Sequence, residues 1–149
     1  MDKKEIIANL RKAKTAHIRW RSYAQALVSG VPLEEDRVPV IHTDCEFGRW
    51  YFGDGQALAG LKSFQGIAVP HEQLHAVYME IFKLLFEEEN IGLLRRLIGK
   101  KGRTSESRKR AAQSLLDEML RISERLIGHI DSLEKEIMQM GEETIAKLI

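Results

Sequence analysis

Ile6, Leu10, Ala13, His17, Trp20, Ala24 and Leu27 follow one another at alternating steps of four and three. That spacing lines one face of a helix and predicts a first element of about 25 residues, broken where Gly30, Val31 and Pro32 meet. The next stretch, PLEEDRVPV, carries two prolines and four charges and reads as a loop. Thr43 and Glu46 have the spacing of a capping box, which predicts a short helix from Thr43 to the Gly53-Asp54-Gly55 turn, with Cys45 in its first turn. A further helical piece is expected within residues 56 to 65, ending at Gly66.

From Pro70 onward nothing forbids helix. His71, His75, Tyr78, Phe82 and Leu85 form one stripe, and Leu74, Val77, Ile81 and Leu84 form its neighbour. A helix apolar around most of its circumference belongs inside a bundle. It is expected to continue past Glu87, Glu88 and Glu89, bend near Asn90 and Gly92, and end near Ile98. The glycine-flanked GKKGRTSES interrupts the pattern. A last helix from about Ser105 to Met140 would be roughly 50 Å long, enough for part of it to leave the bundle. Its Leu115, Met119, Ile122, Leu126, Leu133 and Met140 follow heptad-like steps, with His129 and Glu136 as polar interruptions. The expectation is that its first half packs on the bundle and its second half lies at a dimer interface. No strand pattern and no internal repeat emerges. The fold class is therefore all-α, an antiparallel helix bundle in a single domain, with residues 1–100 as its body and residues 101–149 as an added C-terminal helix.

The totals narrow the function more than they change the fold. At 149 residues, 44% apolar and 30% charged, the chain is about one ordinary globular domain. A net charge of +1 gives no reason to expect a nucleic-acid partner. No apolar run approaches the roughly 20 residues of a membrane span. The start, MDKKEIIANL, is charged from its second residue and reads as no signal peptide. One cysteine without an export signal fits a reducing cytoplasm.

The chemistry begins with His71 and His75, one helical turn apart on one face, an arrangement that lets both imidazoles chelate one ion. His17 is the only ionisable member of the first stripe. A buried imidazole needs partners for both ring nitrogens, and a metal is one such partner. Cys45 is the fourth candidate, because a helix start lowers a cysteine's pKa toward the thiolate that binds metals. Three imidazoles and a thiolate form a closed zinc set, with the metal at the core of the bundle.

Three separated motifs carry this set: His17 with Trp20; Cys45 with Phe47, Gly48 and Trp50; and His71 with His75. In order, type and interval, over about residues 5 to 98, they resemble the chemoreceptor zinc-binding domain. The resemblance implies zinc as cofactor on His17, Cys45, His71 and His75, a small helix bundle that is usually a homodimer, and a place in bacterial cytoplasmic signalling. Chemoreceptors and diguanylate cyclases are the partners it implies. Trp20, Phe47 and Trp50 are expected to pack around the ligands, and Gly48 to allow close helix approach. Two residues compete near the site. His42 is able to replace a ligand histidine, and Asp44 to accept a hydrogen bond from one; as plain loop residues both would simply be solvated. His129 is expected to be structural. The run from Arg95 to Arg110, with eight basic residues and Glu106 as its one acid, reads as a solvated loop rather than an anion-binding patch. Four protein ligands leave no open position for a substrate water, so the expectation is a sensor and not an enzyme. A zinc-stabilised dimerisation scaffold is the alternative, and a zinc hydrolase a more distant one.

Overall fold

The computed structural model describes the backbone of residues 1–31, 39–98 and 103–149, and the side chains of these except 86–98 and 103–105. The described residues are helical, with no strand among them. Helix α1 spans Lys3–Val28, α2 Glu46–Phe52, α3 Lys62–Gln65, α4 Ala68–Ile98, α5 Arg103–Gln139 and α6 Glu142–Leu148, with a 3-10 turn at Asp54–Leu58. Most of the PLEEDRVPV loop, at residues 32–38, lies outside the described residues. So do residues 99–102 of GKKGRTSES, whose remainder from Arg103 is already helical.

Local chemistry sets the helix ends. Asp2 caps α1 by accepting from the Glu5 amide at 2.8 Å, while the Glu5 carboxylate accepts from the Asp2 amide at 2.8 Å. This reciprocal pair satisfies two of the amides that a helix start leaves without partners. After Val28 the chain leaves the helix through Gly30, whose φ of 85° lies in the left-handed region that favours glycine. Helix α4 starts two residues before Pro70, which sits in its first turn, where no intrahelical N–H is required of it.

Three side chains of α1 place it against α5. Lys3 Nζ donates to the Met138 and Met140 carbonyls at 3.0 and 2.7 Å, Arg11 pairs with Glu134 at 2.6 Å, and Lys14 pairs with Asp131 at 2.8 Å. The partner numbers fall as the α1 numbers rise, so the two helices are antiparallel. Gln73 accepts from Arg125 at 3.3 Å, and a small cavity joins Leu74, His75 and Tyr78 of α4 to Met119 of α5. The same descending order makes α4 antiparallel to α5, so α1 and α4 run parallel to each other. A parallel pair cannot be joined by a tight turn, and the chain between them is long enough to carry α2 and α3 back along the bundle.

Helix α5 packs on a different seam from the expected one. Its buried positions are Ala112, Leu116, Met119, Ser123, Leu126, Ile130, Leu133 and Ile137, with Ile122 beside them. This row also advances by four and three, and it shares Met119, Leu126 and Leu133 with the expected stripe. Leu133 and Ile137 are 0% exposed within the chain itself. A dimer contact through them would require the bundle to open. His129 and Glu136 therefore do not interrupt the seam. The His129 ring lies where a side chain on Gly66 would sit, and Glu136 accepts from Ser63, so both face the α3 side. Beyond Gly141 the chain forms α6, which the sequence reading did not anticipate, and Ile145 seals that end of the core at 2% exposure.

Candidate metal centre

Parallel α1 and α4 bring His17 beside His71 and His75. The ring centroids lie 4.8 Å apart for His17 and His71, 5.6 Å for His17 and His75, and 4.9 Å for His71 and His75. Cys45 approaches from α2, with its sulfur 3.4 Å from His71 Nε2. One ligand atom from each of His17, Cys45, His71 and His75 lies within 4.8 Å of the others. The three histidines are 1%, 1% and 4% exposed, whereas Cys45 is partly exposed.

Two of the imidazoles are held by main-chain carbonyls. His17 Nδ1 donates to the Ala13 carbonyl at 2.6 Å, one turn back in α1, and His75 Nδ1 donates to the Val40 carbonyl at 2.8 Å. Those bonds assign the proton to Nδ1 and leave Nε2 of each ring with only its lone pair. Both Nε2 atoms are buried without a hydrogen-bond partner. A buried polar atom without a partner is costly, and here two of them converge on a third imidazole and a thiol. This donor set fits a metal ion, in the arrangement where a ligand histidine gives its other nitrogen to an oxygen acceptor.

The electrostatics favour ligation at the nitrogens. Burial lowers His17 to about 4, with the Ala13 hydrogen bond opposing and the charge of His75 adding to the shift. Burial and the neighbouring histidines lower His71 to about 2, and burial lowers His75. All three imidazoles are neutral near pH 7, the form that binds metal. Cys45 departs from the sequence expectation. It does not sit in the first turn of a helix starting at Thr43; it is itself the N-cap of α2, and its sulfur accepts from the Gly48 amide at 3.1 Å. Burial raises its pKa above the ordinary thiol value, although the Gly48 and Phe47 amides pull the other way. The protein without metal therefore holds a thiol, and metal binding must displace its proton.

The aromatic residues enclose this set. Phe47 meets His17 at 5.7 Å and His71 at 5.2 Å edge to face, and Trp50 stacks on Phe47 at 5.6 Å. Trp20 lies 5.4 Å from His75 and 4.8 Å from Tyr78. At Gly48 an added Cβ would collide with the His42 carbonyl, so only glycine lets the turn before Cys45 fold against α2. Asp44 is exposed, and its main-chain carbonyl accepts from Arg49 at 3.0 Å. The acceptor role proposed for its carboxylate belongs instead to the carbonyls of Ala13 and Val40. Main-chain oxygens have no residue type, and nothing in the sequence marks them. His42 stands outside the group of four. The side chains from Arg95 to Ser105 lie outside the described residues.

The family model of the chemoreceptor zinc-binding domain matches residues 17–82, a span that opens on His17 and contains Cys45, His71 and His75. This segment is a chemoreceptor zinc-binding domain. No curated protein and no solved structure matches the chain. Zinc is accordingly its cofactor, and the four side chains that the fold gathers are placed to bind it. The domain's matched segment ends at Phe82, within α4, so α5 and α6 complete its core from outside that segment. Among the described residues no helix is long and apolar enough to cross a membrane.

Proposed function

We propose that this chain is a zinc-binding regulatory domain of bacterial cytoplasmic signalling, with His17, Cys45, His71 and His75 as the zinc ligands. The single observation that carries the reading is the pair of buried, partnerless Nε2 atoms of His17 and His75 facing His71 and the Cys45 sulfur. Four protein ligands close the coordination shell, which favours a regulatory over a catalytic use. Zinc would tie α1, α2 and α4 to one point. Structural zinc sites contribute about 10–16 kcal/mol of apparent binding free energy, on the order of a domain's whole stability.

Occupancy of the site would be read through α5. Met119 borders the same small cavity as the ligand His75 and the adjacent Trp20 and Tyr78, so a shift of His75 on zinc loss would change a cavity that α5 helps to line. Cys45 supplies a second input: a two-electron oxidant such as hypochlorous acid converts its thiolate to sulfenate and is itself reduced, removing the sulfur ligand. The output passes to a chemoreceptor or cyclic-di-GMP pathway protein, and the working unit is a homodimer formed by faces other than the buried α5 seam.

A second reading, a purely structural zinc scaffold, is favoured by the near-complete burial of the three histidines. The two separate on zinc removal. For a sensor, a strong chelator or hypochlorous acid takes zinc out while helical circular dichroism is largely kept; for a scaffold, zinc leaves only with global unfolding.

A further inference from the structure

His42 has so far no role. Its ring centroid lies 5.9 Å from that of His71, close to the 5.6 Å between His17 and His75, which are both in the group of four. It also meets Phe52, at 5.8 Å, which is 49% exposed. Unlike the three ligand imidazoles, His42 is partly exposed. It also shares a turn with Cys45. The Asp44 amide donates to the Ile41 carbonyl at 3.0 Å, and the Cys45 thiol donates to the His42 carbonyl at 3.5 Å, so one short turn carries both side chains.

The sealed histidines leave the Cys45 side as the approach to the set. An ion held by four protein ligands exchanges most easily if a fifth donor binds before one of the four leaves, and zinc accepts five-coordination. An imidazole at the solvent edge, adjacent to one ligand and on the same turn as another, supplies that donor.

We propose that His42 is the transfer ligand of the zinc site, binding the ion as it enters or leaves and exchanging with Cys45. The inference rests on the assignment of the four ligands. On release, the Cys45 thiolate leaves the metal and takes a proton from water, and the ion passes to His42 before solvent. On loading, the steps reverse and the proton returns to water. His42 is absent from the resting ligand set, so it governs rate and not equilibrium affinity.

The test uses the full chain loaded with zinc, and follows zinc transfer to a chromogenic chelator at concentrations where the rate no longer depends on the chelator. His42→Ala and His42→Gln are expected to slow release by about tenfold or more, the scale on which a metal site's surroundings act, while zinc content and equilibrium affinity stay as in the wild type. His42→Asp, which restores a donor, is expected to restore fast release. A second readout replaces zinc with cobalt in a Cys45→Ala background, where His42 is the remaining nearby donor. The cobalt absorption of Cys45→Ala is expected to change when His42 is also replaced by Ala. Release rates unchanged in His42→Ala and His42→Gln, with identical cobalt spectra for the single and double variants, would overturn the proposal. If the wild-type chain takes up no zinc, it is the ligand assignment that fails.

Discussion

An added methyl at Gly48 runs into the His42 carbonyl, and the turn that would have to move carries Cys45. The Gly48 amide also donates to the Cys45 sulfur. Gly48→Ala is therefore expected to weaken zinc binding by about 10–100-fold, the usual cost of disturbing a ligand's support. Competition against a chelator of known affinity measures it, and unchanged affinity would mean that the turn relaxes without moving the sulfur. Proton release is a second residue-level expectation. The three histidines are neutral well above their lowered pKa values, while Cys45 is a thiol at neutral pH. Zinc binding should then release about one proton per ion, and affinity should rise about tenfold per pH unit near neutrality. Calorimetry in buffers of differing ionisation enthalpy counts the proton; a count near zero would mean that Cys45 already exists as thiolate. At this scale the four side chains that the fold gathers were legible because they are distinctive and three motifs place them. The carbonyls of Ala13 and Val40, which orient His17 and His75, were not legible, because any residue supplies a carbonyl and only the fold decides which one arrives.

At the scale of elements, α1 and α4 were readable from their stripes, while α2 was misplaced. Its Thr43 and Glu46 offered a capping box, but Cys45 took the cap position with its sulfur. Helix α5 was readable as a helix and not as a packing surface. Its two candidate seams share Met119, Leu126 and Leu133, and the choice rests on Ser123, a polar residue on the true seam. Arg21 of α1 reaches Ser123 Oγ at 3.4 Å, an interhelical partner that the sequence does not display. Leu133→Ala is expected to cost about 2–5 kcal/mol, as a leucine truncated in a packed core does. Urea denaturation of the zinc-loaded protein checks it; a change near zero would place Leu133 outside the core. The buried histidines also make the zinc-free bundle acid-sensitive. Burial holds His17 at about 4, below its ordinary 6.5, so as pH falls it is the unfolded chain that takes up protons first. Stability is fully present above 6.5 and is lost as pH falls from there toward about 4. The urea midpoint of the zinc-free protein should drop between about pH 7 and pH 5, and a flat profile would contradict neutral burial of these imidazoles.

For the whole molecule, the main consequence is that the zinc site and the core are one structure. Helix α5 pairs with α1 by Arg11 to Glu134 and Lys14 to Asp131, and it meets the ligand helix α4 at Met119 beside His75. An event at the metal thus has a short path to an element outside the family-matched segment. The sequence made α5 a candidate for dimerisation, but its seam is buried within the chain, so any dimer would have to use other faces. All of this depends on zinc being held by His17, Cys45, His71 and His75. The most direct measurement is the metal content of the purified full chain beside a Cys45→Ala variant, by mass spectrometry of the native protein. The expected result is one zinc per wild-type chain, with zinc reduced or lost in Cys45→Ala. A wild-type chain without zinc after exposure to it, or a variant that holds zinc as tightly as the wild type, would contradict the account.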